Sequence, residues 1–227
     1  MTFADLQTAV DSRIQDDAGK LAPDARDDCI REAIRDRYSR FKPLELVKDL
    51  AGDGATYQWT LNTTNFPSWD EARSSIAALE YPAGERPPVY LESGDWTIVR
   101  ISSAARALHL PAITPGTGAT LRVTYTAPHA DDASTVPAGD ADAVANAAAA
   151  LASRRLQAIY SQLGNSSIGA DAVDYGAKRD GFSSLAKDLD RRFEESMGTA
   201  EDDEAPAASG TAVWDPGMAD GGRRLTH

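Results

Sequence analysis

FKPLELVKDLAGDGATYQWTL, residues 41–61, is where this chain changes its period. Upstream, apolar residues recur every three or four positions; from Leu44 the period falls to two, and Tyr57, Trp59 and Leu61 alternate with polar neighbours. A period near 3.6 lays side chains along one stripe of a helix, and a period of two lays them on one face of a strand. The switch therefore marks a helix-to-sheet boundary, with Pro43 as the helix stop. Gly52-Asp53-Gly54 is a turn signal, and with the alternation that follows it predicts a hairpin at this point.

Before the boundary the spacing predicts two helices. Thr2 and Asp5 form a candidate capping pair, followed by Phe3, Leu6, Val10 and Ile14 on one apolar stripe that ends near Asp17 to Gly19. Pro23 suits the first turn of a second helix, with Cys29, Ile30, Ala33, Ile34 and Tyr38 on its buried side. Arg31, Arg35, Asp36 and Arg37 are its expected wet or partner-facing side.

After the boundary, further strands are expected at Ser75 to Tyr81, Val89 to Glu92, Trp96 to Ile101 and Leu121 to Thr126, separated by turn-rich segments that include Gly116-Thr117-Gly118. Five or six short strands at this spacing make a small sandwich or an open barrel. Pro137, Gly139, Asp140 and Asp142 then restart helix. The alanine-rich run Val144 to Leu163 suits close helix-to-helix approach, either at a bundle centre or at a subunit contact. A last helix, with Phe182, Leu185, Leu189, Phe193 and Met197 on one side, is expected to carry an Asp188–Arg192 surface pair and a weak point at Gly181. Thr199 to His227 holds Glu201-Asp202-Asp203-Glu204, Pro, Ala, Ser and Gly, with few large apolar groups, a composition that predicts disorder in isolation.

The 227 residues carry a net charge of −12, which argues against a chain whose task is to grip nucleic-acid phosphates. The single cysteine, Cys29, excludes an internal disulfide and lies on an apolar helix side, where an inert thiol is the expectation. Residues 1–5 lack a basic n-region and an apolar h-region, and no stretch has the apolar length to span a bilayer, so synthesis in the cytoplasm without membrane association is expected.

Chemical signatures are sparse. His129 with Asp131 and Asp132 superficially resembles a hard-metal cluster but fits no ligand spacing, and His109 reads as packed. No nucleophile elbow, zinc-protease helix, redox dithiol or phosphate-cradling loop occurs, so no enzyme activity, catalytic residue, metal or cofactor is expected. Asn62-Thr63-Thr64 and Asn165-Ser166-Ser167 read as loop residues.

Several stretches resemble the head-to-tail adaptor, or connector, proteins of tailed bacteriophages. They are the opening helices, Glu80-Tyr81-Pro82 followed by Pro87-Pro88-Val89-Tyr90-Leu91, Val123 to His129, Ala147 to Tyr160, and Ala170 to Tyr175 with Leu185-Ala186. The resemblance implies a homo-oligomeric ring, commonly of twelve copies, seated under the portal and meeting a tail-proximal neck or stopper protein. DNA would pass through its channel without specific binding. The chain would belong to the virion, after synthesis in the bacterial host cytoplasm. Smaller members of that family are mainly a helical bundle, so the strand-rich insert is a departure from them.

The expected architecture is α+β: a discontinuous helical bundle (1–43 and 132–199) with an inserted antiparallel β-sandwich or open barrel (44–131) and an extended acidic C-terminal arm (200–227). Trp214, Pro216, Met218, Arg223, Arg224 and Leu225 are candidate portal-docking anchors. Ala148, Leu151, Arg155, Ile159, Arg191 and Arg192 are candidate subunit-interface positions. The competing reading is a ligand-binding module presenting Trp59, Trp69 or Trp96 of the insert to a carbohydrate or peptide. A hydrolase using scattered carboxylates is weaker, because no pair stands out.

Overall fold

Helix α1 (Phe3–Ile14) opens with a full capping box: the Asp5 N–H donates to the Thr2 hydroxyl, and the Thr2 N–H donates to the Asp5 carboxylate at 2.8 Å. Gln15 ends it in the left-handed region at φ 47. Helix α2 (Pro23–Glu32) starts on Pro23 and runs into a π turn over Ala33–Tyr38, then into the short α3 (Ser39–Phe41). The computed structural model describes residues 2–16, 18–103, 105–163 and 175–198. The widened turn forms where Ser39 concentrates its bonds on one acceptor. Both its N–H and its hydroxyl donate to the Ile34 carbonyl, five residues back.

Strands β1 (Leu44–Ala51), β2 (Gln58–Thr60), β3 (Ile76–Glu80), β4 (Thr97–Arg100), β5 (Arg106–His109) and β6 (Thr120–Ala127) form two three-stranded antiparallel sheets, ordered β1-β6-β3 and β2-β5-β4. β6 alternates strictly: Leu121, Val123, Tyr125 and Ala127 are buried. Their cross-strand partners Leu50 and Leu46 join them in a core that Leu108 of the second sheet completes, with Phe66 and Trp69 from a connecting loop. On the outer face Arg122 bonds Asp49 twice, at 2.8 and 3.0 Å.

The expected hairpin after β1 does not form. Asp53 makes a local turn, accepting from the N–H groups of Ala55 and Thr56 and from the Thr56 hydroxyl, which hold its carboxyl down at about 2. The turn then docks on the loop before β6: the Gly52 N–H donates to Ala119 O and the Gly54 N–H to Pro115 O. β1 and β2 consequently enter different sheets, and β1 pairs with β6 along its whole length. Val89 to Glu92, expected as a strand, contributes a single bridge from Tyr90 to Glu80. β5 had no sequence signal of its own.

Helix returns with a 3-10 turn (Ala138–Asp140), α4 (Ala141–Gln162) and α5 (Tyr175–Met197). Every residue from Ala143 to Ala150 is buried, because α4 is wrapped by α1, α2, the π turn and α5. A helix with no wet side over two turns needs small residues all round, and the alanines supply them. Asn146, the polar exception, accepts a hydrogen bond from Arg13 Nε at 2.8 Å. α5 runs unbroken through Gly181 and packs Leu189 and Phe193 into the shared core, with Phe182, Leu185 and Met197 half-buried around them. Its surface pair is Asp188 with Arg191 at 3.8 Å rather than with Arg192, and Arg191 also reaches Glu195. The architecture is thus α+β, with N- and C-terminal helices in one bundle and the two small sheets between them in sequence.

Two glycines separate conformational need from tolerance. A Cβ on Gly52 would lie 2.4 Å from Gly116 O, whereas one on Gly181 would meet nothing within 4 Å. Gly181→Ala is expected to stabilise the chain by about 0.5–1 kcal/mol, and Gly52→Ala to destabilise it by about 1–3 kcal/mol. Urea unfolding of the two variants checks both signs.

Candidate functional site

An insert must leave and re-enter its parent structure through one point, so the residues flanking it carry the geometry. Here the outgoing segment is Tyr38 to Pro43 and the returning one is Ala127 to Asp140. The His129 N–H donates to the Ser39 hydroxyl at 2.8 Å, and the same hydroxyl donates to Ile34 O. The π turn therefore presents Ser39 as a relay between the two segments.

The His129 ring is buried against Tyr38, with centroids 5.0 Å apart. Nε2 lies 2.9 Å from Lys42 O, which can only accept, so Nε2 carries the hydrogen. Nδ1 lies 3.0 Å from the Thr135 hydroxyl, which itself accepts from the Ala130 N–H. Both ring nitrogens are thus used within the junction. Asp132 caps the Ser134 N–H. Among the described residues no three His, Cys, Asp or Glu side chains are grouped to hold a metal ion.

Asp140 closes the junction. Its carboxylate accepts from the Tyr38 hydroxyl at 2.5 Å and from Lys42 Nζ at 2.8 Å. Burial pushes this carboxyl up, but the bonds from Lys42 and Tyr38 outweigh it and hold the group below its ordinary range. Burial, and then the facing Asp140, push the Tyr38 phenol up. Cys29 is fully buried and its thiol is pushed up to about 11 by that burial.

Two further ties flank the junction, both made by residues expected on the wet side of the second helix. Arg37 pairs with Asp190 of α5 at 2.6 Å and lies over the Phe193 ring, 4.8 Å from its centroid, while Arg154 of α4 pairs with the same Asp190. Asp36 pairs with Arg73, which comes from the insert. Arg37 and Asp36 are therefore intrachain connectors, drawn inward because α5 and the insert supply opposite charges at their height. Between the two halves lies a groove of about 380 Å³, lined on the helical side by Arg35, Asp36 and Arg40 and on the insert side by Arg73, Ser75 and Pro128.

The interface positions fall in three groups. Ala148 is fully buried within its own chain, and Leu151 is half-buried against the same core. Arg155 is held inside the chain: it donates to Ala25 O at 2.9 Å and reaches Glu32 at 3.5 Å. Ile159 is half-buried, and Arg191 and Arg192 are exposed on α5. Trp214, Pro216, Met218, Arg223, Arg224 and Leu225 lie outside the described residues, as does Asn165. The tryptophans of the insert form no open patch. Trp69 is buried against Phe66 and Tyr125, and Trp59 and Trp96 are half-buried on the same core. Among the described residues no helix is long and apolar enough to cross a membrane.

The outer helix surfaces differ in charge. Asp5, Asp11, Asp24 and Asp28 are exposed on α1 and α2, while Lys178, Arg179, Lys187, Arg191 and Arg192 are exposed on α5, interspersed with Asp180, Asp188, Glu194 and Glu195. With five cations against four carboxylates, the exposed α5 stripe is close to neutral in a chain of net charge −12.

No protein-family model and no curated protein matches the chain. Among solved structures it is similar to a chain described as "Neck of empty GTA particle computed with C6 symmetry", with 17% identity over 71% of this chain and 78% of that one, at a TM-score of 0.28. It is also similar to one described as "Virion of native gene transfer agent (GTA) particle", with 17% identity over 83% of this chain and 88% of that one, at a TM-score of 0.30.

Because the carboxyl of Asp140 is depressed in the folded chain, its contribution is present above the unfolded carboxylate value and is lost as pH falls through the folded one. Stability is expected to decline below about pH 4, and Asp140→Asn to remove part of that decline. His129→Ala removes the ring partners of Lys42 O and the Thr135 hydroxyl while keeping the backbone bond to Ser39, and is expected to cost about 2–3 kcal/mol at neutral pH. Thermal unfolding across pH 3–7 tests both.

Proposed function

We propose that the protein is a non-enzymatic virion structural component, a head-to-tail adaptor whose copies close into a ring between portal and tail. The observation that carries this reading is the pair of outer faces just described: exposed carboxylates on α1 and α2, and a mixed stripe of five cations and four carboxylates on α5, each turned away from the central α4. A ring repeats one heterologous contact until it closes, and such a contact needs two unlike faces on one chain. Arg191 and Arg192 sit on one of them. Ala148, being enclosed, takes no part.

The acidic balance of the chain suits a conduit for DNA, since fixed cations on a channel wall would hold phosphates. The insert projects from the bundle at the Ser39–His129 junction and is free to meet a neighbouring subunit or the capsid. The arm from Thr199 is the portal-docking element in this reading, with Trp214, Pro216, Met218 and Leu225 as apolar anchors and Arg223 and Arg224 as charged ones. The role would place the chain in a particle neck. It rests on the faces and on the segment resemblance, and it takes nothing from the two low-scoring structural likenesses.

Reversing charge on the α5 stripe (Arg191→Glu with Arg192→Glu) is expected to weaken self-association by roughly tenfold or more, and reversal of Asp24 and Asp28 to lysine to restore it. Sedimentation velocity reads both; association unchanged by the first pair of substitutions would remove the α5 face from the interface. Deleting 199–227 is expected to abolish portal co-sedimentation while leaving helical content intact. Normal attachment of the truncated chain would assign portal binding elsewhere.

A further inference from the structure

We propose that the acidic run Glu201-Asp202-Asp203-Glu204 docks, within the same chain, into the arginine-lined groove between bundle and insert. The inference is independent of whether the protein forms a ring.

The groove gathers three guanidinium groups, Arg35 and Arg40 from the helical side and Arg73 from the insert, in a chain with 23 basic and 35 acidic residues. Asp36 serves both Arg35 and Arg73, and Asp70 takes the remaining edge of the Arg73 guanidinium. Arg40 is exposed and pairs with no carboxylate among the described residues, and Arg35 Nε is buried without a hydrogen-bond partner. The unmet donors of the groove are therefore Arg40 and the Nε of Arg35, and carboxylates are the acceptors that a guanidinium fork takes best.

The position at which the described chain stops favours this occupant. Near its C-terminal end α5 meets the segment that carries Arg40: Phe193 packs edge-on against the adjacent Phe41, with ring centroids 5.6 Å apart, and beneath the Arg37 guanidinium. Gly198 then ends the helix with φ 74, its N–H donating to Glu195 O. The acidic run begins three residues later. The six residues from 199 to 204 can span about 20 Å. Four carboxylates would then meet Arg40 and the unpartnered Nε of Arg35 on the helical side of the groove.

A carbodiimide cross-linker that joins an amine to a carboxylate in direct contact tests this in the full-length chain carrying Arg40→Lys. The native pair Lys42–Asp140, at 2.8 Å, is the internal control for reactivity and for an intact junction. The expected product is a cross-link from position 40 to the 201–204 peptide at monomer mass, with its yield reduced about tenfold in 1 M salt, where the screening length is about 3 Å. Formation of the control product with no cross-link from position 40 to that peptide would overturn the proposal. So would a cross-link found only at dimer mass, which would assign the run to a neighbouring copy.

Discussion

The burial of the first half of α4 on all its sides is the constraint from which the rest of the helical structure follows. Eight consecutive residues, Ala143 to Ala150, are buried. A helix so placed cannot use a polar face to choose its orientation, so its neighbours must close around it from every direction. This is why a chain with a long β insert still returns to the bundle it left: α1, α2 and the π turn cover one part of α4, and α5 covers the remainder. Small side chains bring the helices close but contribute little apolar area each, so the larger residues at the margins carry much of the hydrophobic stabilisation. Leu6, Val10, Ile30, Ile34, Leu156, Leu189 and Phe193 do that here, all of them buried.

Interrupting such a bundle between its second helix and α4 imposes a second demand. The ends of the insert must be held where α4 begins, or the wrap would open. Polar groups meet that demand in a largely dry place, which requires each of them to be partnered. Ser39, His129, Thr135, Tyr38, Lys42 and Asp140 form such a set, and Asp140 caps it one residue before α4 starts. Outside it, Arg37, Arg154 and Asp190 fasten α5, and Asp36 and Arg73 fasten the insert. The π turn fits this account as the local distortion that points Ser39 at the returning strand.

Local signals made the helices legible. The capping pair at Thr2 and Asp5, Pro23 as a first-turn residue and the period change at Leu44 all correspond to element boundaries, as does the alternation of β6. Long-range choices were not legible. The partner of β1 was decided by the close approach of Gly52 to the 115–116 backbone, some sixty residues away, which no local turn signal can report. β5 is four residues long, and only its neighbours in space make it a strand. The junction was hidden for the same reason: His129 and Ser39 are 90 positions apart, so the histidine drew attention for its acidic neighbours and not for its true partners. One signal was available, namely that polar residues able to bond both ways stand at both ends of the insert. The exposure of Arg191 and Arg192 followed from helix periodicity, whereas the inward turn of Arg37 depended on where α5 lies.

In the proposed function the charged outer faces of α1, α2 and α5 meet copies of the same chain. The measurement that tests this most directly is the native mass of the full chain, alone and mixed with a phage portal protein. A closed ring, or a monomer that becomes a ring on the portal, is the expected result. A monomer that remains one in the presence of portal would contradict the account and leave the charged faces of α1, α2 and α5 as ordinary solvated surface.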